Sequence, residues 1–96
     1  MGAPIKWLRA ALKDLNDEAA YIADDDPTAA RLGVQRIVEA VALLSKQPAI
    51  GRHGRVAGTR ELPVPKTRYL IPYRMRNGAI EILRVFHASR RPPKRW

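Results

Sequence analysis

From position 59 onward, short apolar, β-branched and aromatic runs bounded by Gly, Pro and Asn read as strands. Three runs carry the pattern, at 59–64, 69–76 and 79–87. Asn77-Gly78 separates the last two. That pair suits a two-residue type I′ hairpin, whose central residues both need positive φ. The third run has apolar residues on both faces, Ile80, Ile82 and Phe86 on one and Leu83 and Val85 on the other. It therefore reads as a central strand with cover on each side.

Upstream the pattern changes. Leu8, Leu12, Leu15, Ala19 and Ile22 are spaced four, three, four and three, which is one apolar stripe on a helix. On this reading Lys13, Asp14, Asp17 and Glu18 face away from the core, and no residue stands out as an N-cap. Asp24-Asp25-Asp26-Pro27 ends that helix and begins another, with Asp26 as N-cap and Pro27 in the first turn. Three adjacent aspartates suit capping better than metal binding, because neighbouring side chains do not converge on one ion. The second stripe is Ala30, Val34, Ile37, Val41 and Leu44, widened by Val38 and Leu43, with Pro48 as a stop. Residues 3–7 fit a short edge strand, since Pro4 is excluded from a central one. Residues 49–58, AIGRHGRVAG, read as a connecting loop and match neither phosphate-binding glycine motif. The expected class is α+β: an N-terminal antiparallel helical hairpin packed on a small antiparallel β-sheet, one domain spanning 1–96.

Charge alters this picture by its distribution. Residues 1–50 carry six basic and seven acidic side chains, net −1; residues 51–96 carry twelve basic and two acidic, net +10. Ten of those twelve are arginine, which favours bidentate recognition of phosphate or carboxylate. A polyanionic partner follows, either nucleic acid or an acidic protein segment. There is no cysteine, no apolar run of bilayer-spanning length and no signal-peptide pattern. A cytoplasmic protein without membrane association, cofactor or metal is expected.

The residues needed for common enzyme chemistry are sparse. Ser45 and Ser89 lie in no nucleophile-elbow context, and His53 and His87 are 34 residues apart without surrounding carboxylates. Glu61 and Glu81 are the only acids of the sheet half, each with arginines nearby. Phosphodiester cleavage on cations remains open, with Arg84, His87 and Arg90 as catalytic candidates and Arg60 in support. Trp96 fits either a base-stacking platform or a terminal aromatic folded back on the domain.

Taken in order, the motifs resemble those of RelE/ParE-type toxins of toxin–antitoxin pairs. They are Trp7, Ala11-Leu12-x-x-Leu15, Tyr21-Ile22, Asp26-Pro27-x-Ala29-Ala30 and Gly51-Arg52-x-Gly54-Arg55. Gly58-Thr59-Arg60-Glu61-Leu62, Tyr69-x-Ile71-x-Tyr73-Arg74 and Ile82-Leu83-Arg84-Val85-x-His87-x-x-Arg90 complete the set. The resemblance implies a growth-arresting toxin, neutralised by a cognate acidic, ParD-like antitoxin in a hetero-oligomeric complex. Two activities exist within that superfamily, inhibition of DNA gyrase on the ParE side and ribosome-dependent mRNA cleavage on the RelE side. A RelE-like enzyme carries a catalytic arginine three residues before a tyrosine of its middle strand. Counted from Tyr73, that position is Leu70 here. Trp96 likewise cannot transfer a proton as a terminal tyrosine can. The resemblance therefore favours gyrase inhibition; mRNA cleavage and non-toxic nucleic-acid binding are the alternatives. Arg60, Arg74, Arg90, Arg91 and Trp96 are the expected target contacts. Leu12, Leu15, Val34, Val41 and Tyr69 are the expected antitoxin contacts.

Overall fold

A computed structural model describes residues 2–96. Strand β1 (Ile5–Trp7) leads into helices α1 (Arg9–Asp25) and α2 (Pro27–Leu43). Strands β2 (Arg52–His53), β3 (Arg60–Pro63), β4 (Tyr69–Arg76), β5 (Ala79–Ile82) and β6 (Phe86–His87) follow. The sheet order is β1-β5-β4-β3-β2, with β6 pairing β4 beyond the end of β5. The fold is α+β, two helices packed on one face of the sheet. Its pairings are antiparallel except at the edge, where β1 runs parallel to β5 with Ile5 opposite Ile80 and Trp7 opposite Ile82. The sheet is therefore mixed rather than purely antiparallel.

The local signals behave as their chemistry requires. Asp26 Oδ1 accepts from the Ala29 N–H at 3.0 Å, with Pro27 opening α2. Leu8 precedes α1 without a capping side chain. Asn77 (φ 52°) and Gly78 (φ 78°) form the β4–β5 turn. Residues 52–53 of the expected loop form β2, opposite Glu61 and Arg60.

The expected third strand, 79–87, is broken at 83–85; its first part, β5, is interior as expected, between β1 and β4, and β4 is the middle strand of the sheet. The cause of the break lies in Pro72. Leu83 N–H donates to the Pro72 carbonyl at 2.9 Å. In an antiparallel ladder the partner would return that bond, and proline has no N–H to return. One extra residue is then accommodated, because Ile82 pairs with Tyr73 and Phe86 with Leu70. This is a β-bulge by count.

Alternation along β4 sorts the two faces. Tyr69, Ile71 and Tyr73 join Ile80 and Ile82 of β5 and Ala11, Ile37, Ala40, Val41 and Leu44 of the helices in one core. Leu70, Pro72 and Arg74 point to the other face, which the 54–59 loop and the C-terminal tail border. Tyr73 anchors the core to the α2–β2 connection. Its hydroxyl accepts from Gly51 N–H at 2.9 Å and donates to the Pro48 carbonyl at 2.8 Å. A Cβ on Gly51 would lie 2.6 Å from the Tyr73 ring, so that position requires glycine.

The apolar stripes are rotated from those the sequence suggests. On α1 the sheet-facing positions are Ala11, Leu15, Glu18 and Ile22, with Asp14 beside them; Leu12 is exposed. On α2, Val38 and Leu43 do not widen the core but face solvent, at 46% and 51% exposure.

Candidate functional site

Four of the sequence-selected arginines are engaged inside the fold. Asp14 of α1 holds the bulge: Arg84 Nε and Nη2 donate to its two carboxylate oxygens at 2.7 and 2.9 Å, and Val85 N–H donates to Oδ2 at 3.0 Å. This pair raises the Arg84 pKa above its already high ordinary value. One turn along α1, Glu18 accepts from the Tyr69 hydroxyl at 3.1 Å and pairs with Arg90 at 3.1 Å. Burial first, then the Glu18 carboxylate, pushes the Tyr69 phenol up to about 12. Arg74 Nε donates to Glu81 at 2.7 Å, and this bond holds the Glu81 carboxyl below its usual range. Arg60 donates to the Gly51 and Ala49 carbonyls at 2.7 and 3.3 Å and braces the loop before β2. Burial raises the Tyr73 phenol as well.

Asp14 and Glu18 therefore do not face away from the core; they are the two acids that fasten the bulge and the tail to α1. The signal was available in the spacing. Positions 11, 15, 18 and 22 repeat at four, three and four, as regularly as the all-apolar register read above, but they place charged side chains on the sheet-facing side.

His87, Ser89 and Arg90 gather beside Glu18. Ser89 Oγ lies 2.6 Å from His87 Nδ1, and the His87 ring meets Tyr69 edge-on at 5.3 Å between centroids. Arg84 is not among them, being turned to Asp14. The tail crosses to the other face, where Trp96 packs edge-on against Phe86 at 5.1 Å. Its Nε1 is buried without a hydrogen-bond partner. Trp96 is thus folded back on the domain rather than held out as an open platform, while Arg91 is exposed.

Of the residues expected to meet an antitoxin, Leu12 is exposed, Val34 is half-buried, and Leu15 packs against the core. Val41 lies within the core, and Tyr69 is packed into it with one edge lining a cleft beside Glu18. The apolar surface is nevertheless concentrated on the helices. Leu12, Tyr21, Leu32, Val38 and Leu43 of the hairpin are five of the seven large apolar side chains left exposed among the described residues. A shallow groove lined by Ala19, Ala23, Ala30, Val34 and Val38 runs between α1 and α2 on the side away from the sheet.

The family model of the ParE toxin of type II toxin–antitoxin systems, parDE, matches residues 5–92. The chain belongs to the ParE toxin family. Like other members, this ParE-family protein is the toxin half of a toxin–antitoxin pair, and the family implies an antitoxin partner. It is 46% identical over 90 residues to the putative toxin Y4kP of Sinorhizobium fredii, covering 94% of this chain and 93% of the relative. Toxin RelE2 of Caulobacter vibrioides is 35% identical over 88 residues, covering 92% and 98%. A chain of the chromosomal ParDE system from P. aeruginosa superimposes with a TM-score of 0.80 at 32% identity, covering 88% of this chain and 95% of the other. No helix among the described residues is long and apolar enough to cross a membrane.

Proposed function

We propose that this ParE-family toxin arrests growth in the cytoplasm by inhibiting DNA gyrase, without itself cutting nucleic acid. One observation carries the choice. Arg84 and Arg90, the cations best placed by sequence for phosphodiester cleavage, are committed to Asp14 and Glu18. Leu70, at the position where a ribonucleolytic relative would carry arginine, is buried and pairs with Phe86. A cleavage site needs cations free to meet a developing phosphorane, together with an acid and a base. Binding a protein target needs only a shaped, charged surface. Arg91, Lys94 and Arg95 of the exposed tail around Trp96 supply one, with Arg74 beside the tail.

A cognate acidic antitoxin neutralises the toxin by laying an amphipathic segment on the outer face of the hairpin. Leu12, Val34 and Val38 meet its apolar side, and Leu15, Val41 and Tyr69 support that face from beneath. The excess positive charge elsewhere on the toxin draws the acidic segment in.

The test is genome-wide mapping of new mRNA 5′ ends within minutes of inducing the toxin alone. The proposal expects growth arrest and a DNA-damage response without new ends inside reading frames. Abundant ends phased with codons would replace it with ribosome-dependent cleavage, and His87, with its Ser89 contact beside Arg90, would then be the first residue to mutate. Expression without arrest would leave a non-toxic nucleic-acid binder.

A further inference from the structure

The proposed function leaves one cleft unused. It lies between the sheet side of the hairpin and the β3–β4 turn, with a cavity volume of about 530 Å³, within the range of small-ligand sites. Tyr21, Ile22 and Leu32 form an apolar wall; Arg36, Lys66 and Arg68 form a cationic one. Glu18, which also lines the cleft, is already matched by Arg90 and the Tyr69 hydroxyl.

Three features shape this cleft. First, Arg36 is half-buried yet forms no ion pair among the described residues. The acid one turn away, Glu39, instead accepts from Gln35 at 3.0 Å. With its stem against the helix and no acid paired to it, the Arg36 guanidinium can meet an anion in the cleft. Second, the β3–β4 turn places Lys66 at the cleft's edge: Pro65 and Lys66 are its central residues, Lys66 takes the positive φ (63°) that the third turn position requires, and Thr67 N–H donates to the Val64 carbonyl at 3.3 Å. Third, Gly33 occupies the middle of α2, where alanine favours helix more. A Cβ there would find only Ile22 Cδ1, at 4.0 Å, so packing does not demand glycine. Its absent side chain leaves room in the cleft.

The charge count selects the ligand. With Glu18 and Arg90 neutralising each other, Arg36, Lys66 and Arg68 leave three positive charges facing one cavity. A single carboxylate would leave two of them unmatched, whereas a di- or triphosphate matches them. Tyr21, exposed beside Leu32, offers a flat apolar surface for a planar base. We propose that this cleft binds a nucleoside di- or triphosphate, its phosphates on Arg36, Lys66 and Arg68 and its base against Tyr21 and Leu32.

Calorimetric titration of the full-length protein with ADP tests this, with adenosine and inorganic phosphate as partial ligands. Saturable binding of ADP, tighter than either part alone, is expected. Lys66→Met and Arg68→Met, both at exposed positions, should each weaken it about tenfold, as loss of a charge-assisted contact does. Gly33→Leu should abolish binding while the far-UV spectrum is retained. Arg55→Met and Lys94→Met, outside the cleft, remove the same charge and should leave the affinity within about twofold. Absence of ADP binding at millimolar concentration would overturn the proposal. So would equal losses from the cleft and control variants, which would mean general attraction of polyanions. Binding of polyglutamate but not ADP would make the cleft a peptide site instead. None of these outcomes depends on whether gyrase is the target.

Discussion

Replacing Asp14 with alanine should destabilise the protein far more than replacing its ion-pair partner Arg84. The carboxylate does two jobs: it pairs with Arg84 and accepts the N–H of Val85 at the bulge, where no strand offers an acceptor. In Asp14→Ala the Arg84 side chain, 38% exposed, turns to water, so the ion pair itself accounts for only about 0–1 kcal/mol. Val85 is 4% exposed, and its orphaned N–H adds about 1–3 kcal/mol. The total is about 1–4 kcal/mol, or a Tm lower by roughly 5–30 °C for a domain of this size. Arg84→Ala keeps the Val85 bond and should cost about 1 kcal/mol or less. Asp14→Asn, whose amide oxygen still accepts from Val85, should fall between them. Urea unfolding followed by far-UV circular dichroism measures all three, and the double variant should cost little more than Asp14→Ala alone. If Arg84→Ala proves as damaging as Asp14→Ala, the bulge N–H is not what the carboxylate protects, and the reasoning fails.

Three further outcomes follow from the same geometry. Tyr73→Phe strips the buried bonds to Gly51 and Pro48 and should lower stability by about 1–3 kcal/mol in the same assay. The Tyr69 phenol, ordinarily near 10, is raised to about 12 in the folded chain, and Tyr73 is raised too. The unfolded chain therefore loses these protons first, so their stabilisation is complete below pH 10 and declines as pH climbs toward 12. Tyr69→Phe should flatten that alkaline decline, measured by unfolding at stepped pH with tyrosinate absorbance as the titration signal. Deleting residues 90–96 should abolish growth arrest while antitoxin still co-purifies; arrest by the truncated protein would remove the tail from the target surface.

Local chemistry was the legible part of this sequence. Asn77-Gly78 and Asp26-Pro27 each specify their own backbone within a few residues, so the hairpin turn and the start of α2 could be read directly. The helical period was equally clear, but two registers on α1 share it. Leu12 argued for one and Ala11 for the other, and only the tertiary partners Arg84, Arg90 and Tyr69 show why Asp14 and Glu18 belong inward. The parallel pairing of β1 with β5 joins segments about 75 residues apart, and no local signal encodes it. The break at 83–85 was readable in principle from Pro72, since a proline in a strand with neighbours on both sides forces a bulge somewhere. The cationic residues were misread for a related reason. Counting arginines gives net charge, whereas their availability depends on which acids the fold brings to them. The cleft of Arg36, Lys66 and Arg68 combines residues from α2 and a turn, so its components were invisible as a set.

The most direct test of gyrase inhibition is a plasmid supercoiling assay with purified gyrase, the purified toxin and ATP. The account predicts that supercoiling falls as toxin is added, that Arg91→Ala or loss of the tail blunts the effect, and that prior addition of the cognate antitoxin prevents it. Undiminished supercoiling at toxin in large excess over gyrase, from a preparation that still arrests growth when expressed, would contradict it.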